Sequence, residues 1–260
     1  MVRLITQLSL LILISFLSVS RSLRAQPLFI LEQENIDMAL TRQYEKALQS
    51  TIVAMHAAGL GPEHNWQASQ HGSTYYFISE LPSTSQQTQT RTARLSVALD
   101  KTNYDLFRSL TEAAIRTRYD SVLEHASEYS YTPAKPIDKA HLNYVDIVQV
   151  HAEQVMQFRN ATTQTIKALK VAGYPIGFTV YQIIVGNPNP QAGPSYYLVS
   201  PYHTRSEFYE EHPLVVALQR ALGNEEATRL LLGQQKNLIT GQSFDHSRRA
   251  DLSYQARIKR

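Results

Sequence analysis

The chain has 260 residues, 43% of them hydrophobic, a formal charge of +3 and no cysteine. The missing cysteine excludes disulfides, thiolate metal sites, thiol nucleophiles and a lipid-bearing cysteine, so the fold must hold by its core alone. Arg3, Arg21 and Arg24 are the only charges in the first 25 residues, and without that segment the formal charge is zero. A neutral body with a short basic tail at Arg257, Lys259 and Arg260 argues against a nucleic-acid-binding face.

Met-Val-Arg3 is followed by an apolar run over residues 4–17 and then by small residues. That run is shorter than the roughly 20 residues that span a bilayer. It predicts a secretory signal peptide over residues 1–25, cleaved after Ser20 or Ala25, with an uncleaved anchor as the alternative. The mature protein is then expected to be periplasmic or secreted, with no stable membrane insertion after cleavage.

Residues 28–31, Leu-Phe-Ile-Leu, read as a strand, and Asp37 as an N-cap for the helix that follows. Leu40, Tyr44, Ala47, Leu48, Ile52 and Met55 recur at helical spacing, and Gly59 suits a left-handed C-cap. This helix occurs twice. Residues 43–59 and 157–173 agree at seven of seventeen positions at an offset of 114, and the same offset pairs Leu28 with Leu142 and Glu32 with Asp146. So dense a match marks an internal duplication.

Second strands are predicted near residues 65–70 and 178–185, and third strands over 72–79 and 193–200. There Gly72-Ser-Thr-Tyr75-Tyr76-Phe77 matches Gly193-Pro-Ser-Tyr196-Tyr197-Leu198. The extra residues of copy two fall in a turn-rich tip over 186–193, which makes the Gly72 and Gly193 hairpins equivalent. The copies diverge over 82–90 and 202–213, then realign with helices predicted over 103–116 and 225–239, the latter N-capped by Asn224. Each copy closes on acid-x-Ser-Tyr, as Glu128-Tyr-Ser-Tyr131 and Asp251-Leu-Ser-Tyr254.

Strand, helix, strand, strand, helix, strand is the ferredoxin-like order. An α+β fold of two tandem βαββαβ units is therefore expected, over residues 26–131 and 141–254. A proline-containing linker over 132–140 joins them, and a basic tail over 255–260 follows. Copy two's second strand is apolar on both faces, Phe178, Val180 and Ile184 against Tyr181, Ile183 and Val185. The two antiparallel sheets should accordingly pack together as an α/β barrel.

In element order and duplication the chain resembles the dimeric α/β-barrel superfamily, which includes antibiotic-biosynthesis-monooxygenase-like and NIPSNAP-like proteins. The resemblance implies a barrel closed within one tandem chain, either a monomer with a pseudo-dimeric barrel or a homodimer. Such proteins include cofactor-free monooxygenases, haem-degrading enzymes and haem proteins such as chlorite dismutase, so the fold selects no chemistry. No cofactor is expected from the residues themselves, and haem stays open through the resemblance alone. No family motif fixes a catalytic residue.

The residues suggest a small-molecule ligand, with several candidate contacts. Glu32 and Asp146 occupy the same place in each copy and would form a symmetry-related acid pair if they faced an interior. Of the tyrosine pairs, Tyr75 and Tyr196 match, and Tyr181 adds another hydroxyl to an otherwise apolar wall. Tyr202, His203 and His212 lie where copy two departs from copy one. No histidines or acids show metal-ligand spacing. The reading is thus a binder of a small, partly apolar ligand. A cofactor-independent monooxygenase acting on an aromatic substrate is the alternative, and a haem protein the third.

Overall fold

The computed structural model describes residues 26–81, 90–137, 139–187 and 189–257. The expected signal segment with both cleavage sites, the divergent stretch as far as residue 89, and residues 258–260 lie outside them. No helix among the described residues is long and apolar enough to cross a membrane.

Each copy builds one unit. Unit one comprises β1 (Leu28–Ile36), α1 (Thr41–Ala58), β2 (Gln67–His71), β3 (Thr74–Glu80), α2 (Arg91–Ala98), α3 (Lys101–Glu112) and β4 (Ile115–His125). Unit two repeats the order with β5 (Leu142–Val150), α4 (Val155–Ala172), β6 (Thr179–Val185), β7 (Ser195–Tyr202), α5 (Leu214–Leu222), α6 (Asn224–Lys236) and β8 (Leu238–Arg248). Helices α1 and α4 each bury one stripe and end on a left-handed glycine, Gly59 at φ 66° and Gly173 at φ 63°.

The two sheets are joined edge to edge into one closed antiparallel barrel with strand order β1-β3-β2-β8-β5-β7-β6-β4. Both seams run between units. β4 pairs with β6, setting His125 opposite Tyr181, and β2 pairs with β8, setting Ser69 opposite Arg248. Closure removes the four edges that two open sheets would expose. Helices cover the outside, and the strands' inward faces fill the lumen with Leu31, Leu123, Val145, Ile183 and Tyr197.

The repeated acid-x-Ser-Tyr motif locks the seams. Past β4, Tyr131 bridges to Phe178 of unit two, and past β8, Tyr254 bridges to Trp66 of unit one. Ser130 Oγ accepts the Val180 amide at 2.9 Å, and Ser253 Oγ accepts the Ala68 amide at 2.9 Å. The Tyr131 hydroxyl donates to the Tyr174 carbonyl at 2.6 Å, and the Tyr254 hydroxyl to the Leu60 carbonyl at 2.7 Å. Each unit's final tyrosine therefore satisfies backbone just past the C-cap of the other unit's first helix.

Several predicted boundaries move. Helix α3 stops at Glu112, and the residues predicted to continue it to Arg116 start β4, which pairs with β1 from Ile115 onward. Likewise α6 ends at Lys236 rather than at Ile239, because Leu238 already pairs with Val150. Sheet pairing outweighs local helical propensity in both places. Gly223, not Asn224, is the N-cap of α6. The hairpin tips occupy equivalent places in the two units but differ locally. Gly72 sits in a tight turn at φ 58°, whereas Gly193 has φ 140° and its missing Cβ would fall 2.0 Å from the Val150 carbonyl oxygen.

Candidate functional site

Alternation along the strands decides which side chains reach the lumen. On β3 it turns Tyr76 and Ile78 inward, on β6 Tyr181, on β7 Tyr197 and Val199, and on β8 His246 and Arg248. They line a cavity of about 300 Å³ at the end of the barrel where β1, β5 and β6 begin and β8 finishes. Its aliphatic wall is Leu31, Ile78, Leu123, Val145 and Val199, while Gln67, Asn143, Thr179 and Arg248 form the polar portion. A cavity of this size is at the small end of ligand sites, and an apolar wall with a few polar groups is their usual make-up.

His246 is only 3% exposed. Its Nδ1 lies 3.3 Å from Ser69 Oγ, its ring packs 4.3 Å from that of Tyr76, and its Nε2 has no hydrogen-bond partner. Burial, reinforced by the neighbouring His71, pushes the imidazole down to about 4, so the ring is neutral at ordinary pH. Burial also raises the phenols of Tyr76, Tyr181 and Tyr197, which keeps each a neutral hydrogen-bond donor. None of these three hydroxyls hydrogen-bonds to a side chain or backbone group among the described residues.

A second polar assembly lies outside the lumen, between the sheet and helices of unit one. Glu32 and Glu34 alternate with Leu31 and so point toward the helices, both fully buried. The Arg91 amide, at the start of α2, donates to Glu32 Oε2 at 3.0 Å, and its guanidinium donates to Glu34 at 3.0 Å. Arg118 donates to Glu34 at 2.6 Å, and the Tyr44 hydroxyl donates to it as well. Arg91 also stacks 3.6 Å over the ring of Phe77.

The two carboxyls diverge for an electrostatic reason. Burial pushes both up, but for Glu34 the combined pull of Arg91 and Arg118 wins and holds it below the usual carboxylate range. Glu32 shares only Arg91 and lies near Glu34, so burial wins and its carboxyl is pushed up to about 7. In unit two the same places hold Val148, Phe158, Leu214 and Gly241 in place of Glu34, Tyr44, Arg91 and Arg118. The charged assembly therefore belongs to unit one alone.

The matched acids Glu32 and Asp146 do not meet inside the barrel. Both lie on its outer face, Glu32 against Arg91, and Asp146 accepting a hydrogen bond from Ser243. Of the eight candidate ligand contacts, Tyr181 alone lines the cavity. Tyr75 and Tyr196 turn outward, Tyr75 donating to Glu45 at 2.5 Å and Tyr196 stacking on Phe158. Tyr202 donates to Asp245 at 2.5 Å. His203 is exposed, and the His212 carbonyl accepts from Tyr174 at 3.0 Å. Among the described residues no cluster of three or more His, Cys, Asp or Glu could hold a metal ion.

Tyr76, Tyr197, His246 and Arg248 are cavity residues that the sequence pattern does not single out. Both members of each tyrosine pair suit a strand face, so the pairs carry no sign of which ring turns inward. The usable signal is the period-two alternation of Phe244, His246 and Arg248, which only becomes visible once β8 is recognised as a long strand.

Solved structures match this architecture over nearly the whole chain. A proposed monooxygenase from Lactobacillus acidophilus NCFM is 12% identical, with a TM-score of 0.52 over 88% of this chain and 96% of that one. Another from Fusobacterium nucleatum subsp. nucleatum is 9% identical, with a TM-score of 0.53 over 87% and 94%. A chlorite dismutase variant from Candidatus Nitrospira defluvii is 8% identical, with a TM-score of 0.52 over 88% and 93%. The fold is that of the dimeric α/β-barrel proteins. Identities this low establish the fold and no activity. No protein-family model matches the chain, and no curated protein does either.

Proposed function

We propose that this protein binds a small, partly apolar molecule in the lumen of its barrel, and that it does so in the periplasm or outside the cell once the N-terminal segment is removed. The carrying observation is the cavity itself, where the buried, unpartnered Nε2 of His246 and three phenols that bond no protein group among the described residues stand beside an aliphatic wall. A buried polar atom left unpaired costs about 1–3 kcal/mol, and a ligand that pairs the His246 Nε2 recovers part of that. Calorimetric titration with aromatic and branched-chain compounds tests the reading, using Val145→Phe to fill the cavity. Binding that the filled variant abolishes supports it, and binding that survives unchanged refutes it. The export reading rests on residues 1–25, and mass measurement of the protein from the cell envelope should find a start after Ser20 or Ala25.

A cofactor-independent oxygenase is the competing reading, favoured by the imidazole beside the cavity. General bases work best with a pKa near the operating pH. An imidazole held near 4 is a weak proton acceptor at neutral pH, which favours binding over catalysis. Oxygen uptake with phenolic substrates would reverse that preference.

Haem fits the described cavities poorly. The lumen that contains His246 is about 300 Å³, too small for a porphyrin. The larger grooves on the helix faces, about 610 and 620 Å³, have no histidine in their walls. Protein purified with haem supplied should show no Soret band.

A further inference from the structure

The charge pattern of the cavity narrows the ligand. Among the described residues no Asp or Glu lines it, and Arg248 is its one formally charged wall residue. Arg248 follows His246 on the lumen face of β8, opposite Ser69 across the seam, and its guanidinium has no ion pair among the described residues. Other arginines near this seam are committed. Arg249, one residue on, faces outward and is held by Glu45 and by Asp251 at 2.8 Å.

The neutral groups point the same way. Tyr76, Tyr181 and Tyr197 each have a hydroxyl hydrogen to donate, and Gln67 and Asn143 add amide donors near Arg248. With His246 neutral, the lumen presents donors and one cation to a ligand, and no anion. An ammonium ligand would find no counter-charge there, whereas a carboxylate would meet a guanidinium whose fork matches its two oxygens. The aliphatic wall formed by Leu31, Ile78, Leu123, Val145 and Val199 then receives the remainder of the molecule.

We propose that the cavity selects a compact monocarboxylate with an aromatic or branched apolar body, its carboxylate held at Arg248 and its body against the aliphatic wall. This rests on the reading of the cavity as a ligand site.

The test uses 3-phenylpropionate and its neutral isostere 3-phenylpropanamide, titrated calorimetrically into the full mature chain. Wild type should bind the carboxylate about tenfold more tightly than the amide, a preference that shrinks as salt is raised. Arg248→Met should erase the preference, bringing the carboxylate and the amide to within about twofold of each other. Val145→Phe should abolish binding of both compounds. Equal affinity for the two compounds, or a preference that survives Arg248→Met, overturns the carboxylate assignment while leaving the cavity reading intact. Absence of binding by either compound, or binding that Val145→Phe leaves untouched, overturns both. Unchanged circular dichroism and thermal midpoint of Arg248→Met exclude misfolding as the cause.

Discussion

Glu32 and His246 make opposite demands on pH, and a pair of single substitutions separates them. Glu32 is raised from 4.5 to about 7 in the folded state, so its contribution is fully present below pH 4.5 and is lost as pH rises to 7. His246 is lowered from 6.5 to about 4, so its contribution is present above pH 6.5 and is lost as pH falls to 4. Each shift corresponds to about 3 kcal/mol at 1.36 kcal/mol per pKa unit. In the wild type the two slopes oppose one another between pH 4.5 and 6.5 and largely cancel. Urea unfolding followed by the fluorescence of Trp66, the sole tryptophan and 2% exposed, measures stability across pH 4–8. Apart from a constant offset, Glu32→Gln should gain about 3 kcal/mol on wild type as pH rises from 4.5 to 7. His246→Gln should gain a similar amount on wild type as pH falls from 6.5 to 4. Curves that run parallel to wild type in both variants would refute the burial argument for these groups.

The seam motif offers a second test. Ser253→Ala leaves the Ala68 amide without its acceptor and should cost about 1–3 kcal/mol, while Tyr254→Phe removes one hydrogen bond and should cost about 1 kcal/mol, both read by chemical denaturation. Ser130→Ala and Tyr131→Phe should behave alike, because the other seam has the same geometry. Arg91→Met strands Glu32 and weakens the hold on Glu34, which predicts a loss of about 3–5 kcal/mol at pH 8. Gly193→Ala should prevent stable folding, since its Cβ would overlap the Val150 carbonyl. Gly59→Ala, with nothing within 4 Å, should cost only about 1–2 kcal/mol, and comparing thermal midpoints of the two separates steric from conformational cost.

The candidate site was legible in kind but not in position. The tyrosine pairs and an apolar strand face pointed to a polar-dotted pocket, and the lumen has that character. The tyrosines that reach it are Tyr76, Tyr181 and Tyr197, whereas Tyr75 and Tyr196, matched between the copies, turn toward the helices. The divergence of copy two drew attention to His203 and His212, yet one is exposed and the other engages Tyr174 only through its backbone. The larger chemical asymmetry runs the other way: unit one carries Glu34, Tyr44, Arg91 and Arg118 where unit two carries Val148, Phe158, Leu214 and Gly241. Those four residues are scattered across 85 positions of chain, from 34 to 118, and nothing in their spacing marks them as neighbours.

Local pattern and repetition were enough to determine the two units, the helices ending at Gly59 and Gly173, and the α+β class, because each depends on contacts within a few residues and is written twice. The repeated Ser-Tyr pair was visible too, although its role was not. What only the tertiary structure decided is how the expected barrel closes: which edges join, which face of each strand becomes the lumen, and hence that His246 and Arg248 of the last strand stand beside Tyr76 and Tyr181. A strand apolar on both faces holds no record of its inward side, since alternation distinguishes faces only when one of them is wet.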